Sequence, residues 1–555
     1  MKAFITTYWG KDFAKESTLG LQPIRDIHFD QRFLHTYTYT TTSRQTYYGL
    51  AGIALFIILI ACINFVNLAT GLATTRAKEV GVRKVLGARR PQLVWQFLGE
   101  TAVLVLFCIG LGLLTASLVI PTVDRWLDIR VHTEELFEPV VLGVLGGVLV
   151  GVILLAGVYP AFVQSAFRPA LSLKGESKLG GRGLMNLRKG LVVVQFAICQ
   201  LLIIGTLVVA RQMDYFENQD LGYDKESVVS FPMPDGNSRT VIAQTLASEP
   251  GVTAYSFSTG APANSGNWAP FHSTEFGLPK DEPTELKFID ERYIHMFGLT
   301  MLAGDTIRPK VAGDSVYRVV VNETLLGELH LNPAGAVGKQ FNLMGNNAEI
   351  IGVVQDFQSE SKHQKRRPCV LLYDTGGFYR ASIRIYPQAL RETLAHVSKV
   401  WSGINPRGIF EYEFLDDYIA SLYRQEQKVY TAIRLFSIIA ILIGCLGLYG
   451  LVAFAAMQRT KEVGIRKVLG ASIGNIVYLF TREFIVLIGV AFVIAAPVAW
   501  LIMHRWLESF AYRIGISWGL FAAAILVSFA IAAFTISWES IKAAVVNPVK
   551  SLRSE

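Results

Sequence analysis

Charged residues are scarce in this sequence. They account for 17% of its 555 residues, whereas soluble globular domains carry about 25%. The deficit is concentrated in seven long apolar runs, and this pattern excludes a soluble globular enzyme. Each run is long enough for a transmembrane helix, since about 20 apolar residues cross a hydrocarbon core of about 30 Å. The runs cover residues 49–70, 93–120, 139–163, 190–210, 435–457, 484–503 and 516–538.

Cysteine is also scarce, with five residues in the chain. Cys62, Cys108, Cys199 and Cys445 lie inside apolar runs, and Cys369 stands alone in a polar stretch. These positions provide no disulfide framework, and neither they nor the scattered histidines have metal-ligand spacing. Because we also find no catalytic constellation, we predict that the chain is not an enzyme and has no catalytic residue or metal site.

Lysine and arginine are concentrated in alternate connecting segments, which accounts for the formal net charge of +8 without a nucleic-acid partner. The positive-inside rule places such segments in the cytoplasm. They are residues 76–90, 168–189, 459–467 and 542–553. We therefore predict a multi-pass protein of the cell (inner) membrane with a cytoplasmic C-terminus and an extracytoplasmic segment at 211–430.

An internal repeat dominates the organisation of the chain. Residues 76–88 read RAKEVGVRKVLGA and residues 459–471 read RTKEVGIRKVLGA, so 11 of the 13 positions are identical at an offset of 383. Glu100 and Glu483 keep the same offset. Each copy consists of a span, the basic motif, a second span, a short outer loop, a third span and a basic tail. The repeat predicts two units of three spans each, arranged in parallel along the chain.

The repeated motif is predicted to form a short amphipathic cytoplasmic helix, followed by a turn and the next span. Glu79 and Arg83 are spaced i,i+4, which suits a helix, and Val82, Val85 and Leu86 share one face of it. This helix either lies on the membrane surface or contacts a cytoplasmic partner. The near-identical placement of glycine and charge in two distant copies favours a partner.

The candidate partner-contact residues are therefore the charged and glycine positions of both motif copies. Gly87 and Gly470 follow the last apolar residues of each motif, as a helix C-cap does. The full set is Arg76, Lys78, Glu79, Gly81, Arg83, Lys84, Gly87, Arg459, Lys461, Glu462, Gly464, Arg466, Lys467 and Gly470.

Four polar residues stand inside or at the ends of the apolar runs. Glu100 and Glu483 occupy equivalent positions near the start of a span. Intramembrane charge is often functional, but we expect both carboxylates to reach the interface or to pair with a nearby arginine. Asn64 and Asn67 are predicted to form interhelical hydrogen bonds.

The long polar segment is predicted to be a mixed α+β domain. Apolar and polar residues alternate in short runs at 228–231, 319–321 and 350–354, which indicates strands. Helical periodicity returns at 388–401 and 416–434.

Three local predictions follow for this segment. Residues 416–427 are expected to continue into the span at 435 as one helix, which could act as a lever. The basic cluster at 362–367 is expected to be a solvated loop, with contact to an anionic partner or a lipid headgroup as the alternative. The carboxylates Asp281, Glu282 and Glu285 are expected to belong to a solvated loop.

The repeated motif resembles the signature of the MacB/FtsX-like ABC transporter permease family. The outer segment resembles the family's periplasmic core domain at FIDERYIHMFGLTMLAGD (288–305), VVVNETLLGELHLNPAGAVGKQF (319–341) and AEIIGVVQDFQSES (348–361). The stretch LQPIRDIHFD (21–30) resembles the end of the same domain. The resemblance covers essentially the whole chain and is strongest to permeases with two such units.

This resemblance implies a polytopic α-helical membrane protein with about seven transmembrane helices and one α+β extracytoplasmic domain. The first family span and most of the first core domain are expected to be absent. The implied organisation is a periplasmic-domain remnant at 1–46, a first FtsX-like unit at 47–175, a basic linker and helix at 176–212, a MacB-like core domain at 213–430 and a second FtsX-like unit at 431–555.

The family implies a membrane subunit that couples ATP hydrolysis by a partner ATPase to movement of the outer domain, so-called mechanotransmission. The chain itself has no G-x-x-x-x-G-K-[ST] loop, since its glycine-rich stretch at 180–190 lacks the Gly-Lys-Ser/Thr end. We therefore expect no cofactor on this chain and a separate cytoplasmic ABC ATPase as partner. A periplasmic adaptor, an outer-membrane channel and membrane lipid are further possible partners.

Three functions stay open at the level of the sequence. The first is export or extraction of a peptide, an antimicrobial or a lipid-like substrate. The second is regulation or sensing, in which the outer domain controls an extracytoplasmic partner without transport. The third is a truncated copy that has lost its activity.

Overall fold

The fold is taken from a computed structural model of the chain. It describes residues 2–9, 22–27, 29, 44–127, 131–166, 182–234, 238–264, 266–309, 316–362, 364–458, 465–466, 469 and 471–545.

Long helices make up most of the described chain. In the part of the chain that the structure describes, seven helical stretches are long and apolar enough to cross a membrane, and each predicted run lies on one of them. The fold is therefore polytopic and helical, as the sequence predicts. The stretches are Thr46–Ala73, Arg90–Arg125, Pro139–Ser165, Leu187–Asn218, Arg424–Met457, Thr481–Leu507 and Trp518–Trp538.

The helices are numbered in chain order. They are α1 (Lys2–Trp9), α2 (Ile24–Ile27), α3 (Arg44–Val85), α4 (Arg90–Leu127), α5 (Pro139–Val152), α6 (Val158–Ser165), α7 (Arg182–Asn218), α8 (Arg239–Ser248), α9 (Tyr293–Met296), α10 (Glu323–Glu328), α11 (Pro333–Ala336), α12 (Leu390–Ile404), α13 (Leu415–Ser421), α14 (Arg424–Gln458), α15 (Ile473–Leu507) and α16 (Trp518–Val545). A π-helical turn at Ile153–Gly157 joins α5 to α6.

The chain divides into two compact units. The first, here called the membrane unit, comprises Met1–Ala210, Gln427–His504 and Gly515–Glu555. The second, here called the α+β unit, comprises Arg211–Glu426 and Arg505–Ile514.

Two sheets build the α+β unit, which confirms the predicted α+β class. One has four strands in the order β11-β1-β10-β2, and the other has seven in the order β5-β8-β6-β9-β4-β3-β7. The three predicted strands are β1, β6 and β8. The strands are β1 (Val228–Pro232), β2 (Val252–Ser258), β3 (Asn267–Ser273), β4 (Leu278–Phe288), β5 (Met301–Gly304), β6 (Tyr317–Asn322), β7 (Gln340–Leu343), β8 (Asn346–Val354), β9 (Cys369–Leu372), β10 (Arg380–Ile385) and β11 (Glu413–Phe414).

Each sheet packs an apolar face into its own core. The four-stranded sheet buries Phe231 and Ile383 against Leu246 of α8 and Trp401 of α12. The seven-stranded sheet buries a β-branched and aromatic layer, in which Val319, Val321 and Ile350 contact Leu325 of α10. Such residues suit strands whose pleated faces are buried.

The first motif copy is not a separate short helix, and that prediction is wrong. Helix α3 runs without a break from the span through the motif to Val85. Val80 continues the buried core beyond the span, where it packs with Leu93, Phe97 and Ala161. Packing on this side of the helix supports continued helical hydrogen bonding past the apolar run.

The predicted continuous helix over 416–427 is also wrong. Helix α13 ends at Ser421, and α14 begins at Arg424. The hydroxyl of Tyr423, in the gap, accepts a hydrogen bond from the backbone N–H of Lys362 at 2.9 Å. This tertiary hydrogen bond fixes the position of Tyr423 between the two helices.

The outer loop between the last two spans belongs to the α+β unit, which the sequence did not indicate. The side chain of Gln212 donates to the carbonyl of Tyr512 at 2.9 Å and accepts from the backbone N–H of Ile514 at 3.0 Å. Phe510 packs on Phe216 with ring centroids 5.5 Å apart. These contacts attach residues 505–514 to the end of α7.

Candidate coupling site

Charged side chains of the first motif copy link α3 to α4. Arg83 forms an ion pair with Glu79 at 2.6 Å and donates to the amide oxygen of Gln96 at 3.0 Å. Gln96 donates to Glu100 at 3.2 Å, and Glu100 pairs with Arg76 at 3.0 Å. The network joins the end of one span to the beginning of the next. Because each of its ion pairs is about half exposed, it contributes modestly to stability and mainly orients the motif.

Lys84 connects the motif to the third helix of the unit. Its ammonium group donates to the backbone carbonyl of Ser165 at 2.7 Å, at the C-terminus of α6. A cation there complements the partial negative charge of the helix end. Burial, and secondarily the neighbouring Arg90, lowers the pKa of Lys84.

Gly87 ends the motif as predicted. Its φ is +97°, a conformation that glycine adopts without a steric cost, and the N–H of Ala88 returns to the carbonyl of Arg83 at 3.0 Å. This is a glycine-terminated helix end, and Arg90 begins α4 three residues later. Gly81 is buried inside α3.

The predicted apolar face of the motif is exposed on the membrane unit. Leu86 is 81% exposed, and Val82 and Val85 are also exposed. In the second copy, the equivalent residues Leu469, 80% exposed, and Ile465 are exposed as well. Equivalent apolar side chains thus face outward in both copies.

The structure describes the second motif copy only in part. Arg466 is helical and exposed. For Lys78 in the first copy, the helical backbone alone is described. Six predicted contact residues lie outside the described residues: Arg459, Lys461, Glu462, Gly464, Lys467 and Gly470.

Each of the two equivalent glutamates forms an ion pair. Glu100 pairs with an arginine, as expected, whereas Glu483 pairs with Lys189 of α7 at 2.8 Å. The side chain of Glu483 is 40% exposed, and its ion pair with a lysine was not predicted. Lys189 precedes the extra span at 190–210, which has no counterpart in the first unit. The internal repeat therefore could not predict the ion pair between Glu483 and Lys189.

The predicted interhelical hydrogen bonds are half correct. The amide of Asn64 in α3 donates to the carbonyl of Ile443 in α14 at 2.7 Å. The side chain of Asn67, in contrast, is buried without a hydrogen-bond partner among the described residues.

The prediction of a solvated carboxylate loop is wrong, because residues 278–288 form strand β4. Glu285 and Lys287 form a buried ion pair at 2.8 Å, although Asp281 and Glu282 are exposed as expected. Burial alone would raise the pKa of Glu285, but the Lys287 cation and hydrogen bonds from Lys287, Ser359 and the backbone of Gly266 hold that pKa below its ordinary value. Residues 284–287 of β4 are all buried, so both faces of the strand are covered there, which the polar sequence does not indicate.

The basic cluster lies in an irregular segment, as predicted, but it is solvated only in part; Lys365 is exposed. Lys362 is buried, and its ammonium group donates to the carbonyls of Phe216 and Gln219 at the C-terminus of α7. Arg367 pairs with Glu360 at 3.2 Å and stacks on Trp268 at 4.7 Å from the ring centroid. His363 lies outside the described residues. In this cluster, Lys362 and Arg367 therefore have structural partners.

Two segments of the chain match a protein-family model, and parts of the chain are similar to known proteins. The family model described as FtsX-like permease C-terminal matches residues 51–167 and 434–548, once in each repeat unit. The macrolide export ATP-binding/permease protein MacB of Bdellovibrio bacteriovorus is 32% identical over 142 residues, which cover 24% of this chain and 20% of the relative. The uncharacterized ABC transporter permease YknZ of Bacillus subtilis is 35% identical over 132 residues, covering 23% and 30%.

The matches span less than a third of the length of these two relatives. Among solved structures, the periplasmic region of MacB from Actinobacillus actinomycetemcomitans is similar to 36% of this chain and 94% of that one, with 13% identity and a TM-score of 0.27.

Proposed function

This chain belongs to the FtsX-like permease family, with two copies of the family domain, and we propose that it is the membrane subunit of an ABC transporter. A separate ATPase binds the basic motifs on the cytoplasmic side. ATP-driven movement of the membrane unit is transmitted to the α+β unit outside. The substrate class proposed is a peptide, an antimicrobial or a lipid-like molecule that is exported or extracted.

The observation that carries this proposal is the matched exposure of Leu86 and Leu469. Large apolar side chains at equivalent motif positions are exposed at a helix end rich in arginine and lysine. Apolar anchors within a charged surround are typical of protein interfaces. Two equivalent anchors on one chain also favour two ATPase subunits per permease. A purified complex with one ATPase per chain would contradict that stoichiometry.

Two continuous helices support the proposed transmission. Helix α7 extends from the membrane unit to Asn218, and α14 begins at Arg424, so each contributes residues to both units. A displacement of either helix at the motif side moves the residues at its other end, because a hydrogen-bonded helix is stiff along its axis.

The test is co-purification of the ATPase in mild detergent. The double variant Leu86→Asp/Leu469→Asp should lose the ATPase, with affinity reduced by about tenfold or more, because each change places a carboxylate where an apolar anchor docked.

The matched control is Gln92→Glu/Asn475→Asp. These exposed residues are related by the same offset of 383 and add the same two negative charges without removing an apolar anchor. Equal retention of the ATPase by both double variants would refute docking through the motif.

A further inference from the structure

Helix α7 covers one side of the second repeat unit within the membrane unit. Its apolar residues, which include Phe196, pack against α14 and α15. The side chain of Gln195 donates to the carbonyl of Gly444 at 2.9 Å, and that of Gln200 donates to the carbonyl of Ile488 at 3.3 Å. Both glutamines are buried. Apolar packing and polar anchors therefore bind α7 together, as is common between membrane helices.

The equivalent surface of the first repeat unit is open. Small residues of α14 and α15 that are buried in the second unit have exposed equivalents in α3 and α4 at the repeat offset of 383. These pairs are Gly444 with Ala61, Ala491 with Cys108 and Ala495 with Gly112. None of the described helices covers the side of α3 and α4 that carries Ala61, Cys108 and Gly112, which we call the open face.

The acceptors that anchor α7 recur at the open face. At the repeat offset, the carbonyls of Ala61 and Val105 correspond to those that accept from the two glutamines. Glu100 corresponds to the carboxylate that pairs with Lys189 of α7. The side chain of Glu100 is 46% exposed although it pairs with Arg76, and a carboxylate has acceptor sites for further donors. A helix placed here as α7 is placed in the second unit would meet the same three acceptors.

We propose that the open face binds a transmembrane helix of a separate polypeptide. All seven apolar runs of this sequence already form described helices, so none of them is free to take this place. The anchors of α7 are Lys189 and, six and eleven residues later, Gln195 and Gln200. The partner helix therefore carries a basic residue near the motif end and amide side chains at those two spacings, in an otherwise apolar run.

One position of the partner helix must differ from α7. A Cβ added at Gly444 would lie 3.1 Å from the Sγ of Cys199, which is a tight contact. The equivalent residue on the open face, Ala61, already carries that Cβ. The partner helix must therefore have a residue smaller than cysteine at the position of Cys199.

The test is photocrosslinking of a synthetic α7 peptide to the full chain in lipid nanodiscs. The peptide comprises residues 187–218 with Cys199→Ala and with photo-leucine in place of Leu202, a residue that packs near Ala440 in α14. Mass spectrometry should find the crosslink on α3 near residues 54–61, because Ile57 is the equivalent of Ala440. No ATPase is added, so this result is independent of the proposed coupling function.

Changes in the peptide test its anchors. A peptide with Gln195→Leu and Gln200→Leu should crosslink about tenfold less at equal concentration, because it loses both donors to backbone carbonyls. The peptide that retains Cys199 should also crosslink less than the Cys199→Ala peptide, because its sulfur meets the methyl group of Ala61.

A matched pair of variants in the full chain tests the open face. Gly112→Leu places a large side chain on this face and should reduce crosslinking about tenfold. Gly110→Leu is the control, because Gly110 is also exposed on α4 with no atom within 4 Å of an added Cβ. It lies about 200° around the helix from Gly112 and should behave like the parent. Thermal unfolding reports whether both variants fold.

Three outcomes would overturn the proposal. Equal crosslinking of Gly112→Leu and Gly110→Leu, or equal crosslinking by the peptide without glutamines, would show that the peptide does not bind as α7 does and that lipid covers the open face. Oxidation of the chain alone with copper phenanthroline provides the third. Disulfide-linked dimers formed through Cys108 would assign the open face to a second copy of this chain.

Discussion

At Gly447, the backbone of α14 approaches α3 so closely that only hydrogen fits. A Cβ there would lie 1.9 Å from the Oδ1 of Asn64 and 2.4 Å from its Cγ. The equivalent residue in the other repeat is Asn64 itself, so an asparagine and a glycine share one crossing point. Small residues commonly allow such close approach between membrane helices.

We predict that Gly447→Ala lowers the thermal midpoint of the protein in detergent, with a cost of about 1–3 kcal/mol. The new methyl group displaces the Asn64 side chain and breaks its bond to the carbonyl of Ile443. The double variant Asn64→Ala/Gly447→Ala should recover part of the loss.

Gly450→Ala serves as the matched control for that substitution. It introduces the same methyl group one turn away, where space is available. A midpoint for Gly447→Ala that equals that of Gly450→Ala would contradict the close approach.

At the scale of elements, the segment that contains Lys362 and Arg366 contacts three other parts of the α+β unit. These are the end of α7, the break between α13 and α14, and the loop 505–514. Lys362 contacts the end of α7 through its side chain and the α13–α14 break through its backbone. The N–H of Arg366 donates to the hydroxyl of Tyr512 in the loop 505–514 at 3.2 Å. Side-chain periodicity predicts helices and strands in this unit, but it does not predict this junction, because a run of basic residues is usually solvated.

The junction predicts a pH dependence of stability. Burial is the main cause that lowers the pKa of Lys362 to about 8; Lys225 and Arg366 add to the effect, and Asp220 opposes it. An unfolded lysine has a pKa of about 10.4, so between these values the unfolded chain binds more protons. The free energy of unfolding must then rise with pH in that window.

We therefore expect the thermal midpoint of the parent, relative to that of Lys362→Met, to increase from about pH 7.5 to about pH 10. The expected gain is of order 1–3 kcal/mol, since one pKa unit corresponds to about 1.4 kcal/mol. Lys365→Met is the control, because Lys365 is exposed in the same segment. A difference that falls with pH would contradict a buried cationic lysine.

At the scale of the whole molecule, the arrangement of charge predicts orientation. The positive-inside rule places the motif side in the cytoplasm and the α+β unit outside. Hydropathy and the internal repeat were sufficient to predict the seven spans and the polytopic class, because both are local properties of the chain. The orientation itself stays a prediction.

Single cysteines can measure this orientation in intact cells. Lys280→Cys in the α+β unit should react with a membrane-impermeant maleimide, whereas Ser472→Cys beside the second motif should react only after permeabilisation. Both positions are exposed. The parent provides the background, since Cys62, Cys199 and Cys369 are buried and Cys108 and Cys445 lie within spans. The reverse labelling pattern would invert the proposed topology.

The sequence by itself determined the apolar spans, the duplicated motif, its glycine stop at Gly87 and the main strands. These depend on residues close together in the chain, through helix length, side-chain periodicity and turn conformation. Only the tertiary structure decided the partners of polar residues. Glu483 pairs with Lys189, Lys362 donates to the carbonyls at the end of α7, and the buried side chain of Asn67 has no hydrogen-bond partner among the described residues. Burial and pairing depend on contacts between residues that can be hundreds of positions apart in the chain.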